Sequence, residues 1–161
     1  PVPFRISFSL EQKDTFKLEL LVTVKAVLPE GNHGSNVVVL VPMPRAAIAV
    51  SAEPTFEIPG SSTEYHERNQ RLEWRLKKFN AGQEFCLRVR ITTGSDSPIT
   101  RCIQREVGPI KLNFEVPMFN VSGLQVRYLR ISETHKSYNP YRWVRYITLS
   151  SNYVQRMKNF T

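Results

Sequence analysis

The feature that most constrains this chain is a two-residue rhythm of apolar side chains, repeated along nearly its whole length. Phe4, Ile6 and Phe8 alternate with Arg5, Ser7 and Ser9. Phe16, Leu18, Leu20, Val22 and Val24 line one face, with Lys17, Glu19 and Lys25 among the residues of the other. Leu72, Trp74 and Leu76 alternate with Arg71, Glu73, Arg75 and Lys77, and Phe85, Leu87, Val89 and Ile91 with Glu84, Arg88 and Arg90. Ile110, Leu112, Phe114 and Val116 repeat the pattern. Successive side chains of an extended strand point to opposite faces, so this rhythm describes strands with one face on a core. A helix competes for the Leu72–Leu76 segment, and the alternation weighs against it.

Other segments complete the pattern. Val37 to Val41 reads as a fully apolar strand stopped by Pro42 and Pro44, and Ala46 to Val50 as a short strand. Leu124, Val126, Tyr128 and Arg130 alternate with Gln125, Arg127, Leu129 and Ile131, so both faces carry apolar groups. Trp143, Arg145 and Ile147 share a face of a late strand, opposite Val144, Tyr146 and Thr148, and Asn152 to Arg156 add a last short strand. Pro29 to Gly34 and residues 59–70 read as loops, and Thr92 to Pro98 as a turn. The sum is roughly ten strands and no helix. Parallel strands need crossovers of a dozen or more residues, and these connections are mostly shorter. The expected fold is all-β, an antiparallel β-sandwich. Pro117 is the one candidate junction, dividing residues 1–116 from 117–161.

The 161 residues suffice for one domain with a real core. No run is long and apolar enough to span a bilayer, and no charged-then-apolar segment opens the chain, so it reads as soluble. Cys86 and Cys102 cannot build a disulfide framework or a zinc set, and read as free thiols in a reducing compartment. The sequons at Asn120 and Asn159 read as chance. The net charge of +8 permits attraction to anionic membranes or nucleic acid. The basic residues are scattered rather than clustered, as solvated strand faces are.

Enzyme chemistry finds little support. His33, His66 and His135 each fall in an expected loop, without metal-ligand spacing or a nearby cysteine. Glu64, Glu67 and Glu73 read as solvated, with no apolar setting to raise a pKa. No nucleophile elbow or phosphate-cradling glycine loop occurs. Tyr128, Trp143 and Tyr146 beside Arg127, Arg142 and Arg145 suggest a single-strand nucleic-acid platform, but the aromatic signature of the common RNA-binding sheet is absent. The expectation is a non-enzymatic protein with no cofactor, no metal and no nucleic-acid partner.

The most informative stretch runs from Val116 to Tyr153. Two strands rich in Arg, Tyr and Trp can pair there and leave an edge for an extended peptide. Trp143 and Arg145, two residues apart, offer an aromatic wall and a cation suited to a tyrosine side chain. Val126 and Val144, with Leu129, could line a second, apolar pocket. The alternative, on pattern alone, is core residues flanked by surface arginines.

The runs Asn113-Phe114-Glu115-Val116-Pro117, Ser122 to Leu129 and Trp143-Val144-Arg145-Tyr146-Ile147 resemble the closing motifs of the mu homology domain of adaptor-complex medium (mu) subunits. Pro3-Phe4-Arg5-Ile6, Val41-Pro42-Met43-Pro44 and Leu72 to Lys78 resemble the same family, in order, over essentially the whole chain. Ser137 to Tyr146 looks most like the mu subunit of the fourth adaptor complex. The resemblance implies an elongated all-β domain of two subdomains. It implies recognition of Tyr-x-x-bulky-apolar sorting signals in cytosolic tails of membrane cargo during vesicle-mediated protein transport and endocytosis. Trp143 and Arg145 would meet the signal tyrosine, and Val126, Leu129, Arg142 and Val144 the bulky apolar residue. It also implies a heterotetramer with other adaptor subunits, contact with phosphoinositide membranes, and a cytoplasmic location on trans-Golgi, endosomal or clathrin-coated-vesicle membranes. In that family the domain begins well before the Pro3-Phe4-Arg5 motif, and the earlier strands hold an acidic part of the tyrosine pocket. This chain would then carry the second subdomain in residues 1–116 and closing strands with part of the signal site in residues 117–161. The alternative function is a scaffolding β-sandwich docked to anionic membrane or other coat subunits.

Overall fold

The computed structural model describes residues 3–117 and the backbone of residues 147–155. Nine strands and one short helix make up these described residues: β1 (Phe4–Asp14), β2 (Lys17–Ala26), β3 (His33–Pro42), β4 (Ala47–Pro54), β5 (Ser61–His66), β6 (Arg71–Asn80), β7 (Glu84–Thr93), α1 (Arg101–Arg105), β8 (Ile110–Pro117) and β9 (Ile147–Gln155). They form two antiparallel sheets, a four-stranded one ordered β1-β2-β7-β4 and a five-stranded one ordered β5-β6-β3-β8-β9. The expected all-β sandwich is what the chain forms.

The ladder register turns the sequence rhythm into continuous apolar rows. Leu10 faces Leu20, Leu20 faces Val89, and Val89 faces Ala52, so one row crosses the whole first sheet. In the second sheet Trp74 faces Val39 and Val39 faces Leu112. Leu20, Val89, Val39, Trp74 and Leu112 are fully buried. Each such side chain gains about 1.5–3 kcal/mol on leaving water, and this burial is what drives the two sheets together.

An aromatic cluster joins the sheets at one end. The Phe4 ring lies 5.4 Å from Phe79 in an edge-on arrangement and 4.8 Å from Phe114, and Phe79 lies 4.7 Å from Phe85. Phe4 and Phe85 come from the first sheet, Phe79 and Phe114 from the second. Gly34 makes the room: a Cβ there would sit 2.6 Å from Cζ of Phe4 and 3.2 Å from Cγ2 of Val37.

Several expectations are corrected. Residues 59–70 were expected as a loop, yet Ser61–His66 is a strand, paired with β6 from Ser61↔Leu76 to His66↔Arg71. This edge strand carries polar and half-exposed residues, so backbone hydrogen bonding, not an apolar face, makes it a strand. A helix was not expected. α1 forms on a local cap, the Thr100 hydroxyl accepting from the Ile103 amide at 3.3 Å. The apolar strand expected at Val37–Val41 lies within the longer β3, where buried and half-buried residues alternate. The Ala46–Val50 strand runs instead from Ala47 to Pro54. His33 opens β3 and His66 closes β5, so neither is a loop histidine. The late strand is continuous from Ile147 to Gln155 and pairs with β8, across an irregularity between Leu112 and Phe114. Its expected beginning, residues 143–146, lies outside the described residues, as does His135.

The Phe4–Gly34 contact yields a test. Gly34→Ala should destabilise the fold by about 1–3 kcal/mol, because Phe4 is held by two other rings and cannot step aside. Adding Phe4→Leu should return part of that loss, so urea denaturation of the double variant should show clear non-additivity.

Candidate functional site

The six residues expected to form a signal site, Val126, Leu129, Arg142, Trp143, Val144 and Arg145, lie outside the described residues. What is described is the frame on either side of them. Pro117 ends β8 and Ile147 opens β9, and the two face each other across the ladder. The described parts of the chain on either side of residues 118–146 therefore end at one rung of the five-stranded sheet. Cys86 and Cys102 stand as free thiols.

A second constellation emerges on the outer face of the same sheet. Arg71, Glu73 and Arg75 alternate along β6 and share its outer face, while Leu72, Trp74 and Leu76 point into the core. Glu64 lies directly opposite Glu73, and His66 opposite Arg71. Glu73 was expected to be solvated, but it is only 7% exposed. Arg75 Nη2 donates to Glu73 Oε2 at 2.9 Å and Arg71 Nη2 to Oε1 at 3.4 Å. His66 Nε2 lies 3.4 Å from Glu73 and 3.8 Å from Glu64. That nitrogen is shut off from solvent and makes no hydrogen bond among the described residues. Alternation alone cannot find this burial, because the residue points away from the core. The Arg-x-Glu-x-Arg spacing was the available signal, and only the β5–β6 pairing brings Glu64 and His66 to it.

Burial is the largest single influence on Glu73 and opposes its ionisation. Contact with Arg75 and His66, and their charge, together outweigh it and hold the carboxyl below its ordinary value.

The outer face of the four-stranded sheet has two open hollows. One, of about 470 Å³, is bordered by Lys13, Lys17, Glu19, Ala49, Ser51 and Arg90. The other, of about 320 Å³, lies beside Phe56, which is 83% exposed, with Thr23, Phe85 and Cys86. Arg88 and Arg90 lie 3.6 Å and 3.8 Å from Glu19 and Glu53, so much of the charge there is locally balanced.

Residues 1–157 match the family model described as the adaptor complexes medium subunit family. The chain belongs to this family. It is 37% identical over 96% of its length to the AP-4 complex subunit mu of Arabidopsis thaliana, in keeping with the resemblance to the fourth complex. It is 32% identical over 82% of its length to the AP-1 complex subunit mu-1 of Schizosaccharomyces pombe. These matches span 34% and 30% of the two relatives, so the chain covers about a third of their length. Among solved structures it is similar to the Fcho1 mu homology domain of Danio rerio with bound Eps15 peptide, at TM-score 0.50 and 14% identity, over 71% of this chain and 38% of that one. The shared fold is thus that of a mu homology domain.

The lowered Glu73 pKa has a definite sign. A carboxyl held below its unfolded value stabilises the fold above that value, and the contribution disappears as pH falls through the folded one. Glu73→Gln should therefore cost about 1 kcal/mol at pH 7, a modest figure because Arg71 and Arg75 are each more than a third exposed. The difference from the parent should shrink to nothing in acid, as followed by urea denaturation across pH.

Proposed function

We propose that this chain is the cargo-recognition part of a vesicle-coat adaptor medium subunit, binding tyrosine-based sorting signals in cytosolic tails. The observation that carries the reading is the Trp143-Val144-Arg145-Tyr146 run in a chain of this family, leading directly into Ile147 of β9. Trp143 and Arg145 engage the signal tyrosine through the ring and the guanidinium. Val126, Leu129, Arg142 and Val144 surround the bulky apolar residue. The peptide adds as a strand, so main-chain hydrogen bonds supply affinity and the two side-chain pockets supply choice. A short peptide buries little surface, so binding is modest.

Residues 1–116 act as the second-subdomain sandwich and residues 117–161 carry the closing strands, with β9 joining the second segment to the first sandwich's own sheet. The protein works with other adaptor subunits at the cytoplasmic surface of trans-Golgi, endosomal or coated-vesicle membranes, and its positive charge favours phosphoinositide-bearing surfaces. Its role is binding, not catalysis. The bound Eps15 peptide on the fold neighbour supports peptide capture as a use of this architecture.

Calorimetric titration of a Tyr-x-x-Leu peptide, into this chain and into a longer medium subunit carrying it, tests the reading. Trp143→Ala and Arg145→Ala should each weaken binding at least about tenfold, as buried anchors do. Unchanged affinity in both variants sinks the pocket assignment. Salt-sensitive binding to anionic vesicles without any peptide binding would favour a scaffolding sandwich instead.

A further inference from the structure

The outer face of β5 and β6 places two carboxylates directly opposite each other, Glu64 and Glu73, with His66 two residues along β5 from Glu64. Like charges facing across a ladder repel, and such an arrangement calls for a cation. Arg71 and Arg75 meet part of that need at Glu73. Neither of these contacts reaches Glu64, whose one close cationic neighbour among the described residues is His66, at 3.8 Å.

The imidazole nitrogen stands beyond an ordinary hydrogen bond from both carboxylates, at metal-ligand spacing from Glu73 and a few tenths of an ångström beyond it from Glu64. His66 Nε2 is 3.4 Å from Glu73 Oε2 and 3.8 Å from Glu64 Oε2, and one ligand atom from each of the three residues lies within 4.8 Å of the others. Bonds of about 2.0–2.2 Å at tetrahedral angles set ligand atoms about 3.3–3.5 Å apart. Hydrogen bonds from nitrogen to oxygen are shorter, near 2.9 Å. The imidazole nitrogen is shielded from solvent and makes no hydrogen bond among the described residues, so in the neutral ring it can offer its lone pair to a metal. We propose that Glu64, His66 and Glu73 form a divalent-metal site for zinc, with a water as fourth ligand.

The arginines shape the site's selectivity. A carboxylate has about four lone-pair positions, so Glu73 can accept from Arg71 and Arg75 and still bind a metal. Those donors fix its orientation, as outer-shell partners do. Their positive charge also opposes an incoming cation. Ions held mainly by charge, Mg²⁺ and Ca²⁺, are disfavoured, while Zn²⁺, which bonds well to imidazole, is retained. This site is independent of the peptide reading above and could stand or fall without it.

The test is calorimetric titration of Zn²⁺, Mg²⁺ and Ca²⁺ into the whole chain carrying Cys86→Ser and Cys102→Ser, which removes both thiols. One equivalent of Zn²⁺ should bind, and Mg²⁺ and Ca²⁺ should not. His66→Gln and Glu64→Gln, both at partly exposed positions, should each weaken zinc binding by about tenfold or more. The melting temperature should rise with zinc in the parent and not in His66→Gln. No zinc binding at about 100 μM, or equal binding by His66→Gln, would overturn the site and leave only an ion pair between the imidazole and the carboxylates. Circular dichroism of each variant, matched to the parent, separates lost ligation from lost folding.

Discussion

The wedge of Phe4 between the two sheets, admitted by the bare backbone of Gly34, is the contact on which the architecture turns. A sandwich of short strands has many near-equivalent ways to stack one apolar face on another. Ring-on-ring contacts have preferred distances and angles, and they select one. Here Phe4 reads the position of β6 through Phe79 and of β8 through Phe114. β8, which carries Phe114, ends at Pro117 opposite Ile147 of β9.

The strands facing the core could be read from the chain because the requirement they meet is simple. Leu18, Leu20, Val22 and Val24 must all reach the same apolar layer, so they recur every second residue. Where a strand is held by other means, the rhythm is silent. β5 has no apolar row, and its pairing with β6 supplies what its side chains do not. α1 is too short to show a helical period and rests on one hydroxyl cap. The expected signal-site residues rest on strand pattern and family motifs, and they fall in the part of the chain the structure does not describe. Glu73 shows a further limit. It points outward, yet two arginine side chains and an imidazole cover it, and such cover depends on neighbours brought together only by folding.

The five-stranded sheet thus carries two different kinds of surface. At one side β8 ends at Pro117 opposite Ile147, where β9 begins. At the other edge, β5 and β6 hold a compact knot of opposite charges. The four-stranded sheet has no comparable knot among the described residues. Arg88 and Arg90 of its β7 are matched to glutamates of β2 and β4.

The meeting of Pro117 with Ile147 has an evolutionary reading. Two rungs that a ladder holds side by side can be joined by connections of different length without being moved. Closing a flexible connection costs only about 0.6 kcal/mol more for each doubling of its length. Lineages can therefore vary what is hung between such rungs while inheriting the same double-layered frame.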